Sequence, residues 1–404
     1  MKKYIILTSG ISDMGGAEMF TSNKVEYLQK YGWKVDVFFY RKVNNILLPT
    51  LQQFSGNRIS DLIYNFRSLT SHHRNKIINN ISKECNKYDE IVVESQLLTL
   101  SYWGEMIAEN VNGNHIVNAM EESMPKLSNS EIKFLDFKLK NNQILNAVNE
   151  RVLKRYFGDN IKEEYIKYIH DFLGKPICSN VIQDIHVDLS KFGSADFNII
   201  SLGRLDKPYV LPTMFQLSKF IKKYPNLKFN LIIIGGSPNG EIEVKIQDIF
   251  KEVLNVNIQA LGYLYPVPLQ LIKMANVGIA MANSIDVLTQ CGVPTINIDI
   301  SDLKPIGIYG VTTYNKFNRD VNDERLTLIE LLENLLINKT VNGQIQYDSI
   351  DLNQDLDSIF EKQINFLNRC LNCHEYFNIV DMYPKRCYLK SQISRFVHKY
   401  LIRK

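Results

Sequence analysis

The sequence predicts an α/β protein built from two Rossmann-like, doubly wound parallel sheets. Short, continuous apolar runs of strand length recur along the chain, as in parallel strands that are covered on both faces. Several of these runs end at glycine-containing turns, and segments with helical spacing of apolar residues separate them. The chain of 404 residues is too long for one ordinary domain and sufficient for two.

The first half opens on an apolar strand over residues 4–8. The glycines Gly15 and Gly16 follow it and lead into a helix over residues 17–31. Gly32 ends that helix, because glycine is the residue most often found just past a helix C-terminus. The remaining elements predicted here are strands at 34–40, 90–94, 115–120 and 143–148, and helices at about 99–110 and up to residue 157.

The second half repeats the alternation. Its first strand, residues 198–202, precedes a helix, and residues 229–234 form a second strand that ends at Gly235 and Gly236. The helix between them carries apolar residues on one face, namely Met214, Leu217, Ile221 and Tyr224. The later elements are a helix over about 241–254 and short buried strands at 258–261, 277–281 and 295–298.

These two alternating regions predict three parts of the chain. Residues 1–180 form a first Rossmann-like domain, and residues 195–345 form a second one. Residues 175–196 contain no long periodic element and are expected to include the linker, while residues 350–404 form C-terminal helices. Ligands of open parallel sheets bind beyond the carboxyl ends of the strands, so we expect a ligand-binding cleft between the domains.

Composition excludes several classes of protein. Hydrophobic residues at 45% and charged residues at 22% are ordinary for a soluble globular chain. The net charge of +4 is too small to indicate nucleic-acid binding, so we expect no nucleic-acid partner. No apolar run reaches the length of about eighteen residues that a transmembrane helix requires. The short apolar start is interpreted as a buried strand rather than a signal peptide, which predicts a cytoplasmic protein.

The cysteines predict neither disulfides nor a metal centre. Six of them are scattered through the chain, a pattern that suits a reducing compartment. Cys370 and Cys373 form an isolated C-x-x-C, followed by His374. A structural zinc site is usually bound by four ligands, and no second pair lies nearby in the sequence, so we expect no metal.

Four short segments of the second half occur in a characteristic order. They are S-L-G-R-L-D at 201–206, L-I-I-I-G-G at 231–236, A-L-G-Y-L at 260–264 and C-G-V-P-T-I at 291–296. In this order and spacing they resemble the retaining glycosyltransferases of family 4, as a divergent member of the bacterial polysaccharide type. The resemblance covers most of the chain and is less specific in the first half. It implies the GT-B architecture, in which two Rossmann-like domains face a cleft.

Arg204 is the first candidate for catalysis and for binding the donor. Glycosyl transfer from a nucleotide sugar develops negative charge on a diphosphate, and a guanidinium offers a planar fork for that charge. Arg204 follows the glycine at the end of a predicted strand, and the resemblance implies the same role. Where the family has a lysine, this chain has Tyr209, and Lys207 comes earlier. Lys207 either reaches the phosphates by another path or is a plain loop lysine.

Glycines mark further donor-binding candidates. Gly15 and Gly16 follow the first strand, where glycine lets the backbone approach a ligand and a helix N-terminus favours an anion. Any tight strand-to-helix turn also favours glycine. The resemblance implies that Gly235 and Gly236 form a matching turn in the second domain. It also implies that Tyr263 belongs to the segment that precedes the nucleotide-base pocket.

The segment expected to bind the donor ribose lacks the glutamates of the family. Counting back from Gly292 places those positions at Val287 and near Ile279, and neither side chain can accept a hydrogen bond. Ser284 and Asp286 are the polar residues nearby. Ser284 can either meet the pyrophosphate or cap a helix. Asp286 can either replace the ribose-binding carboxylate or serve as an acid in the first turn of a helix.

Acidic residues at strand ends of the first half are candidates for a second catalytic group. Glu121 is the first choice, since a carboxylate there can steady the acceptor or the positive charge that develops on the sugar ring. Glu122 and Glu94 are further candidates, and for all three the alternative is an acidic loop residue. The resemblance implies same-face attack within an ion pair, which requires neither a protein nucleophile nor a metal.

Residues 385–404 form a basic segment with seven Lys or Arg and no acid. Its apolar residues recur at helical spacing, namely Leu389, Ile393, Phe396, Val397, Tyr400 and Leu401. Such a helix can lie on an anionic membrane surface, at the inner face of the membrane. It can equally pack on the protein core with its basic face in solvent.

The sequence therefore predicts a hexosyl- or N-acetylhexosaminyl-type glycosyltransferase. It would move a sugar from a nucleoside-diphosphate donor, UDP-linked, to a hydroxyl of a growing cell-surface polysaccharide or lipid-linked oligosaccharide. The partners would be the nucleotide sugar and a glycan or lipid-linked acceptor, with no cofactor. The alternative is a catalytically inactive GT-B subunit that binds glycan or protein and partners an active transferase.

Overall fold

Two mainly parallel sheets form the framework of the molecule in its computed structural model. The structure describes residues 1–12, 15–43, 45–65, 68–118, 120, 127–145, 182–237, 239–299, 301–316, 319, 325–341, 356–367 and 374–382. The chain divides into a first unit of residues 1–13, 17–176 and 354–404, and a second unit of residues 14–16 and 177–353. Among the described helices, none is long and apolar enough to cross a membrane.

The first unit is built on a four-stranded parallel sheet in the order β2-β1-β3-β4. Its strands are β1 (Lys2–Thr8), β2 (Trp33–Phe39), β3 (Glu90–Ser95) and β4 (Asn114–Val117). Its first helices are α1 (Gly16–Lys30), α2 (Pro49–Gln52), α3 (Ser71–Ile81), α4 (Leu98–Val111) and α5 (Asn129–Lys140). The central strand β1 is buried from Lys3 to Thr8, which explains its continuous apolar run.

The end of the chain returns to the first unit as helix α11 (Leu356–Leu367) and the short turn Ile379–Met382. Phe360 of α11 packs against Phe20 and Tyr27 of α1, with ring centroids 5.5 and 5.4 Å apart. Phe377 packs edge-on against Phe134 of α5 at 5.6 Å. Aromatic contacts of this kind add to the stability that burial of the rings provides.

The second unit is built on a six-stranded sheet in the order β12-β11-β10-β6-β7-β8. Its strands, with the short pair β5 and β9, are β5 (Ile182–Gln183), β6 (Phe197–Leu202), β7 (Phe229–Ile234), β8 (Val256–Ala260), β9 (Val267–Pro268), β10 (Val277–Ala280), β11 (Thr295–Ile298) and β12 (Pro305–Ile308). All pairs in the large sheet are parallel except β11 with β12. Its helices are α6 (Val210–Lys223), α7 (Glu241–Phe250), α8 (Leu269–Lys273), α9 (Asn283–Thr289) and α10 (Leu328–Leu332).

The core of the second unit follows the pattern that the sequence predicts. Strand β7 is buried along its whole length. Met214, Leu217 and Ile221 of α6 are buried on its inner face, as their spacing predicts. Replacing one such buried leucine by alanine costs about 2–5 kcal/mol. This packing fixes the carboxyl ends of β6, β7 and β10 at one edge of the sheet.

Some predicted elements differ from the structure. The predicted strand at 143–148 is present as a single bridge between Ile144 and Val117, and residues 146–150 lie outside the described residues. The edge strand β12 was not predicted, because a four-residue antiparallel strand leaves little pattern. The helix predicted up to residue 157, the C-x-x-C at Cys370 and Cys373 and the basic segment 385–404 also lie outside the described residues.

Candidate functional site

Two glycine turns pack backbone against backbone at the carboxyl ends of β6 and β7. Gly203 follows β6 with a φ of 142°, and Gly235 follows β7 with a φ of 138°, a region that residues with a Cβ rarely adopt. A Cβ on Gly235 would lie 1.9 Å from the Gly203 carbonyl oxygen. The Gly235 N–H donates to the Gly262 carbonyl at 2.8 Å. Glycine is therefore required at 235 for these turns to meet.

Tyr263 covers the second of these turns. Its hydroxyl donates to the Gly236 carbonyl at 2.7 Å, and a Cβ on Gly236 would lie 2.7 Å from its ring Cε2. The predicted donor-binding residues Gly235, Gly236 and Tyr263 therefore lie together. They occupy the carboxyl edge of the sheet, where parallel sheets bind ligands.

Arg204 follows Gly203 at the same edge, and its guanidinium holds Asp206. Arg204 Nε donates to Oδ1 at 3.0 Å and Nη2 donates to Oδ2 at 2.8 Å, which makes a two-point fork. The two side chains are 30% and 31% exposed. The charge of Arg204 is therefore balanced by a neighbouring carboxylate in a pair that solvent can reach.

Tyr209 lies where the resemblance leads us to expect a lysine, directly before α6. Burial, and then the negative charge of Asp206, raises the pKa of the Tyr209 hydroxyl to about 12. Its oxygen lies 3.3 Å from the position that a Cβ on Gly203 would occupy. Lys207 is half-buried in the turn before the helix, and its carbonyl accepts from the Val210 N–H at 3.1 Å. A neutral hydroxyl thus lies beside the Gly203 turn.

The short connection between β10 and α9 places Ser284 beside the Gly203 turn. Strand β10 enters α9 through Met281 and Ala282, and Ala282 has φ 54° and ψ −128°. Such a conformation costs a residue with a Cβ about 1–3 kcal/mol. Ser284 is the second residue of α9 and does not cap it. Its Oγ lies 3.6 Å from the position of a Cβ on Gly203.

Asp286 is buried and paired with Lys316, a residue that the sequence did not indicate. Lys316 Nζ donates to Oδ1 at 2.5 Å and to Oδ2 at 2.6 Å. Asp286 is 2% exposed and Lys316 is 15% exposed. The pair joins the first turn of α9 to the segment after β12. A ribose-binding role for Asp286 would require its carboxylate to be shared with this lysine.

The positions counted for the two missing glutamates lie in the core. Ile279 is inside β10 and Val287 is inside α9, and both are buried. Strand β10 ends at Ala280, so only two residues connect it to α9. At these two positions the chain therefore offers a strand residue and a helix residue of the core, and no carboxylate.

Among the candidate residues of the first half, the structure describes the glycine pair but neither Glu121 nor Glu122. Gly15 directly precedes α1 and Gly16 is its first residue, so the glycine pair lies at the start of a helix as predicted. Its role beside a diphosphate stays a prediction. Glu121 and Glu122 lie outside the described residues.

Glu94, the further catalytic candidate, is instead a fully buried structural carboxylate. Lys24 of α1 donates to it, as do the Tyr4 hydroxyl at 2.6 Å and the Asn118 amide at 2.7 Å. Lys24 also donates to Gln363 of α11 at 3.0 Å. Although burial alone would raise it, the pKa of Glu94 is held below its usual value by the Lys24 charge and these hydrogen bonds. The network ties α1 and α11 to the sheet.

Ser95, His115 and Glu105 form a second buried network. Their side chains follow one another in the order of the catalytic triad of hydrolases. Ser95 Oγ lies 3.1 Å from His115 Nε2, and His115 Nδ1 lies 2.6 Å from Glu105 Oε2. Lys138 forms an ion pair with the same carboxylate. Burial, with Lys138, lowers the pKa of His115 to about 4. Ser95, His115 and Glu105 are all fully buried, so no substrate reaches Ser95 and the network is structural.

A cavity of about 250 Å³ lies elsewhere in the first unit, with Lys3, Asp36, Arg58 and Cys85 among its lining residues. Lys3 is near the amino end of β1 and forms an ion pair with Asp36. Ligands of parallel sheets bind at the carboxyl ends of the strands instead. The cavity is therefore separate from the candidate site.

Comparisons with known proteins support this architecture at the level of the fold. No protein-family model and no curated protein sequence matches the chain. The Anabaena protein HepE, solved with UDP and glucose, is similar with 12% identity and a TM-score of 0.52, over 98% of this chain and 100% of that one. The lipopolysaccharide outer core galactosyltransferase WaaB, in its apo form, is similar with 13% identity and a TM-score of 0.52, over 90% and 99% of the two chains.

A Listeria monocytogenes protein described as a UDP-N-acetylglucosamine 2-epimerase is also similar. Its identity is 12% and its TM-score 0.51, over 90% of this chain and 95% of that one. At such identities the likeness concerns the fold, whereas family 4 membership and the retaining mechanism stay predictions. The chain has an α/β fold of the GT-B type, with two Rossmann-like sheets, as the sequence predicts.

Proposed function

We propose that this protein is a retaining, metal-independent glycosyltransferase. It moves a sugar from a UDP-linked donor to a hydroxyl of a growing cell-surface polysaccharide or lipid-linked oligosaccharide. The observation that carries the proposal is the carboxyl edge of the second sheet, where Arg204 and Tyr263 lie beside the glycine turns. The similar HepE was solved with UDP and with UDP-glucose, and WaaB is a galactosyltransferase, which supports a nucleotide-sugar donor.

The proposed chemistry needs one developing charge to be stabilised. As the bond from the sugar to the diphosphate breaks, negative charge grows on the leaving group, and Arg204 supplies a two-point fork for it. The acceptor hydroxyl forms the new bond to the sugar, and its proton leaves with the diphosphate. Gly15 and Gly16 would lie beside the diphosphate, and Glu121 would steady the acceptor or the sugar ring.

Titration of UDP into the purified protein tests the donor site. We expect Arg204→Ala to weaken UDP binding about tenfold to hundredfold, because a hydrogen-bonded charge contributes about 1.5–3 kcal/mol. Lys222→Ala is the matched control, since Lys222 is a partly exposed cation in the last turn of α6. Its UDP affinity should equal that of the wild type. Absence of binding to any nucleoside diphosphate, with Arg204→Ala unchanged, would contradict the proposal.

An activity assay tests the reaction itself. Wild type is incubated with a panel of UDP-sugars and lipid-linked acceptors, and UDP release and glycan products are measured. NMR of the product anomer tests retention, and activity in the presence of a chelator tests metal independence. Inverted product, or activity that a chelator abolishes, would contradict the respective part of the proposal.

An inactive GT-B subunit is the second candidate function. The buried apolar side chains of Ile279 and Val287, where the family has glutamates, favour it. So does the engagement of Arg204 and Asp286 with partners in the chain itself. This candidate predicts UDP or glycan binding without turnover and copurification with an active transferase.

We also propose that residues 385–404 bring the protein to the inner face of the membrane. The support is the sequence pattern of this basic segment. Cosedimentation of the full chain with vesicles that contain anionic lipid tests it, against vesicles of neutral lipid. Equal recovery with both kinds of vesicle would contradict it.

A further inference from the structure

The hydroxyls of Tyr209 and Ser284 converge on one point above the Gly203 turn. Tyr209 Oη lies 3.3 Å and Ser284 Oγ 3.6 Å from the position that a Cβ on Gly203 would occupy. Tyr209 comes from the connection after β6, and Ser284 comes from the connection after β10, which is the neighbouring strand. Two separate connections therefore deliver a hydroxyl to the same place at the carboxyl edge.

Neither hydroxyl has a hydrogen-bond partner in the part of the chain that the structure describes. Tyr209 is only 5% exposed as a residue, but its hydroxyl oxygen, like that of Ser284, is open to solvent and is not sealed in the core. A tyrosine with a buried ring usually keeps its hydroxyl in contact with a polar partner or with solvent, and solvent takes this place at Tyr209. Two accessible hydroxyls that face one point at the ligand-binding edge of a parallel sheet are available to a ligand.

The chemistry of the two groups narrows the class of ligand. Burial raises the pKa of Tyr209 to about 12, so its hydroxyl keeps its proton and can donate at physiological pH. Ser284 can donate as well. A phosphate group offers several strong acceptor oxygens within a small volume, so one phosphate can take a hydrogen bond from each hydroxyl. Arg204, next to Gly203, adds a group suited to phosphate.

We propose that Tyr209 and Ser284 bind one phosphate group of the donor diphosphate through a pair of neutral hydroxyls. The pair takes the place of the positive charge that the family resemblance leads us to expect at position 209. This inference rests on the proposed function, because it assigns part of the same donor site. It makes binding depend on hydrogen bonds to the phosphate more than on net charge, since Arg204 is already paired with Asp206.

Binding of uridine, UDP and UDP-glucose to matched variants tests the inference. Tyr209→Phe should weaken UDP binding about fivefold to tenfold, and Ser284→Ala about threefold to tenfold, with uridine binding unchanged. Tyr224→Phe is the matched control, because Tyr224 ends the same helix and its hydroxyl donates to Glu333 at 2.9 Å. It should bind all three ligands as the wild type does. Without ligand, Tyr209→Phe should unfold at the same temperature as the wild type or higher.

Each other outcome overturns a defined statement. Unchanged UDP affinity in both variants would overturn the hydroxyl pair and leave the proposed function standing. A parallel loss of uridine affinity would place the hydroxyls at the nucleoside, and a loss confined to UDP-glucose would place them at the sugar. Wild type that binds none of the three ligands would overturn the proposed function itself. Ser284 is partly exposed, so Ser284→Ala keeps the test decisive if Tyr209→Phe fails to fold.

Discussion

The polar side chains of the two units differ in how far partners within the chain satisfy them. In the first unit, Lys24 and Glu94 are both almost wholly buried, and they are paired with each other and with further hydrogen-bonding side chains. His115 is buried in a similar network. In the second unit, the hydroxyls of Tyr209 and Ser284 have no partner among the described residues.

Burial alone therefore does not identify a functional side chain. A buried charge whose hydrogen bonds are complete is held in place by the protein and has no capacity left for a substrate. A hydroxyl that is open to solvent and has no partner among the described residues retains that capacity. The contrast indicates structural roles for the charged networks of the first unit and supports the ligand-binding role that we propose for the edge of the second sheet.

The largest effect that we predict follows from removing Lys24, the buried cation of the first unit. Lys24→Met should lower the free energy of unfolding by about 3–5 kcal/mol, because it leaves the Glu94 carboxylate buried without its counter-charge. Urea-induced unfolding measures the loss. The double variant Lys24→Met/Glu94→Gln removes both charges and should recover more than half of it. Equal stability of Lys24→Met and the wild type would contradict the structural role of the Lys24–Glu94 network.

The second network should make stability depend on pH. Burial and Lys138 lower the pKa of His115 from 6.5 to about 4, so the unfolded chain binds this proton first, and stability declines as the pH falls from 6.5 to 4. The pKa of Glu105 is lowered from 4.5 to about 2, since Lys138 and His115 outweigh the effect of burial, which extends the decline from pH 4.5 to 2. Each group contributes on the order of 3 kcal/mol.

Urea unfolding at a series of pH values measures this dependence. His115→Gln should flatten the profile between pH 6.5 and 4 and leave the decline below pH 4 in place. The two pH ranges therefore distinguish the contribution of His115 from that of Glu105. If the variant and the wild type lost stability equally between pH 6.5 and 4, another group would be responsible.

The sequence predicted the framework better than the site. Apolar runs and glycines are local signals, so the glycine turn at Gly235 and the helix face at Leu217 were both correct. The pairing of Asp286 with Lys316 joins segments that are distant in sequence, and no spacing indicates it. The count from Gly292 reached Ile279 without knowing that this residue lies inside strand β10. Side-chain partners such as these depend on tertiary packing, whereas helices, strands and turns leave local signals in the sequence.

The exposed ion pair of Arg204 and Asp206 in the second unit should contribute little to stability, in contrast to the buried pair of Lys24 and Glu94 in the first unit. Asp206→Asn should leave the free energy of unfolding nearly unchanged, because exposed pairs contribute about 0–1 kcal/mol. It should tighten UDP binding about fivefold, since the diphosphate would no longer compete with Asp206 for the Arg204 fork. Calorimetric titration measures the change. Weaker UDP binding in Asp206→Asn would show that this carboxylate positions Arg204 instead of competing for it.

The smallest predicted effect concerns the backbone at the edge of the second sheet. In the first unit, the residues other than glycine with positive φ among those described are Asn112 and Asn142, and asparagine tolerates this region well. In the second unit Ala282 has φ 54° and ψ −128°, which alanine adopts only at a cost. Ala282→Gly should therefore raise the free energy of unfolding by up to about 1 kcal/mol, the strain relief being partly offset by glycine's greater freedom in the unfolded chain.

The matched control for this substitution is Ala260→Gly, at the end of β8, where φ is not positive and glycine should destabilise by about 0.5–1 kcal/mol. If Ala282→Gly also weakened UDP binding without destabilising the fold, the strained turn would be holding Ser284 in position for the ligand. The edge of the second sheet would then combine unsatisfied hydroxyls with a backbone held in an unfavourable conformation, as ligand-binding sites do.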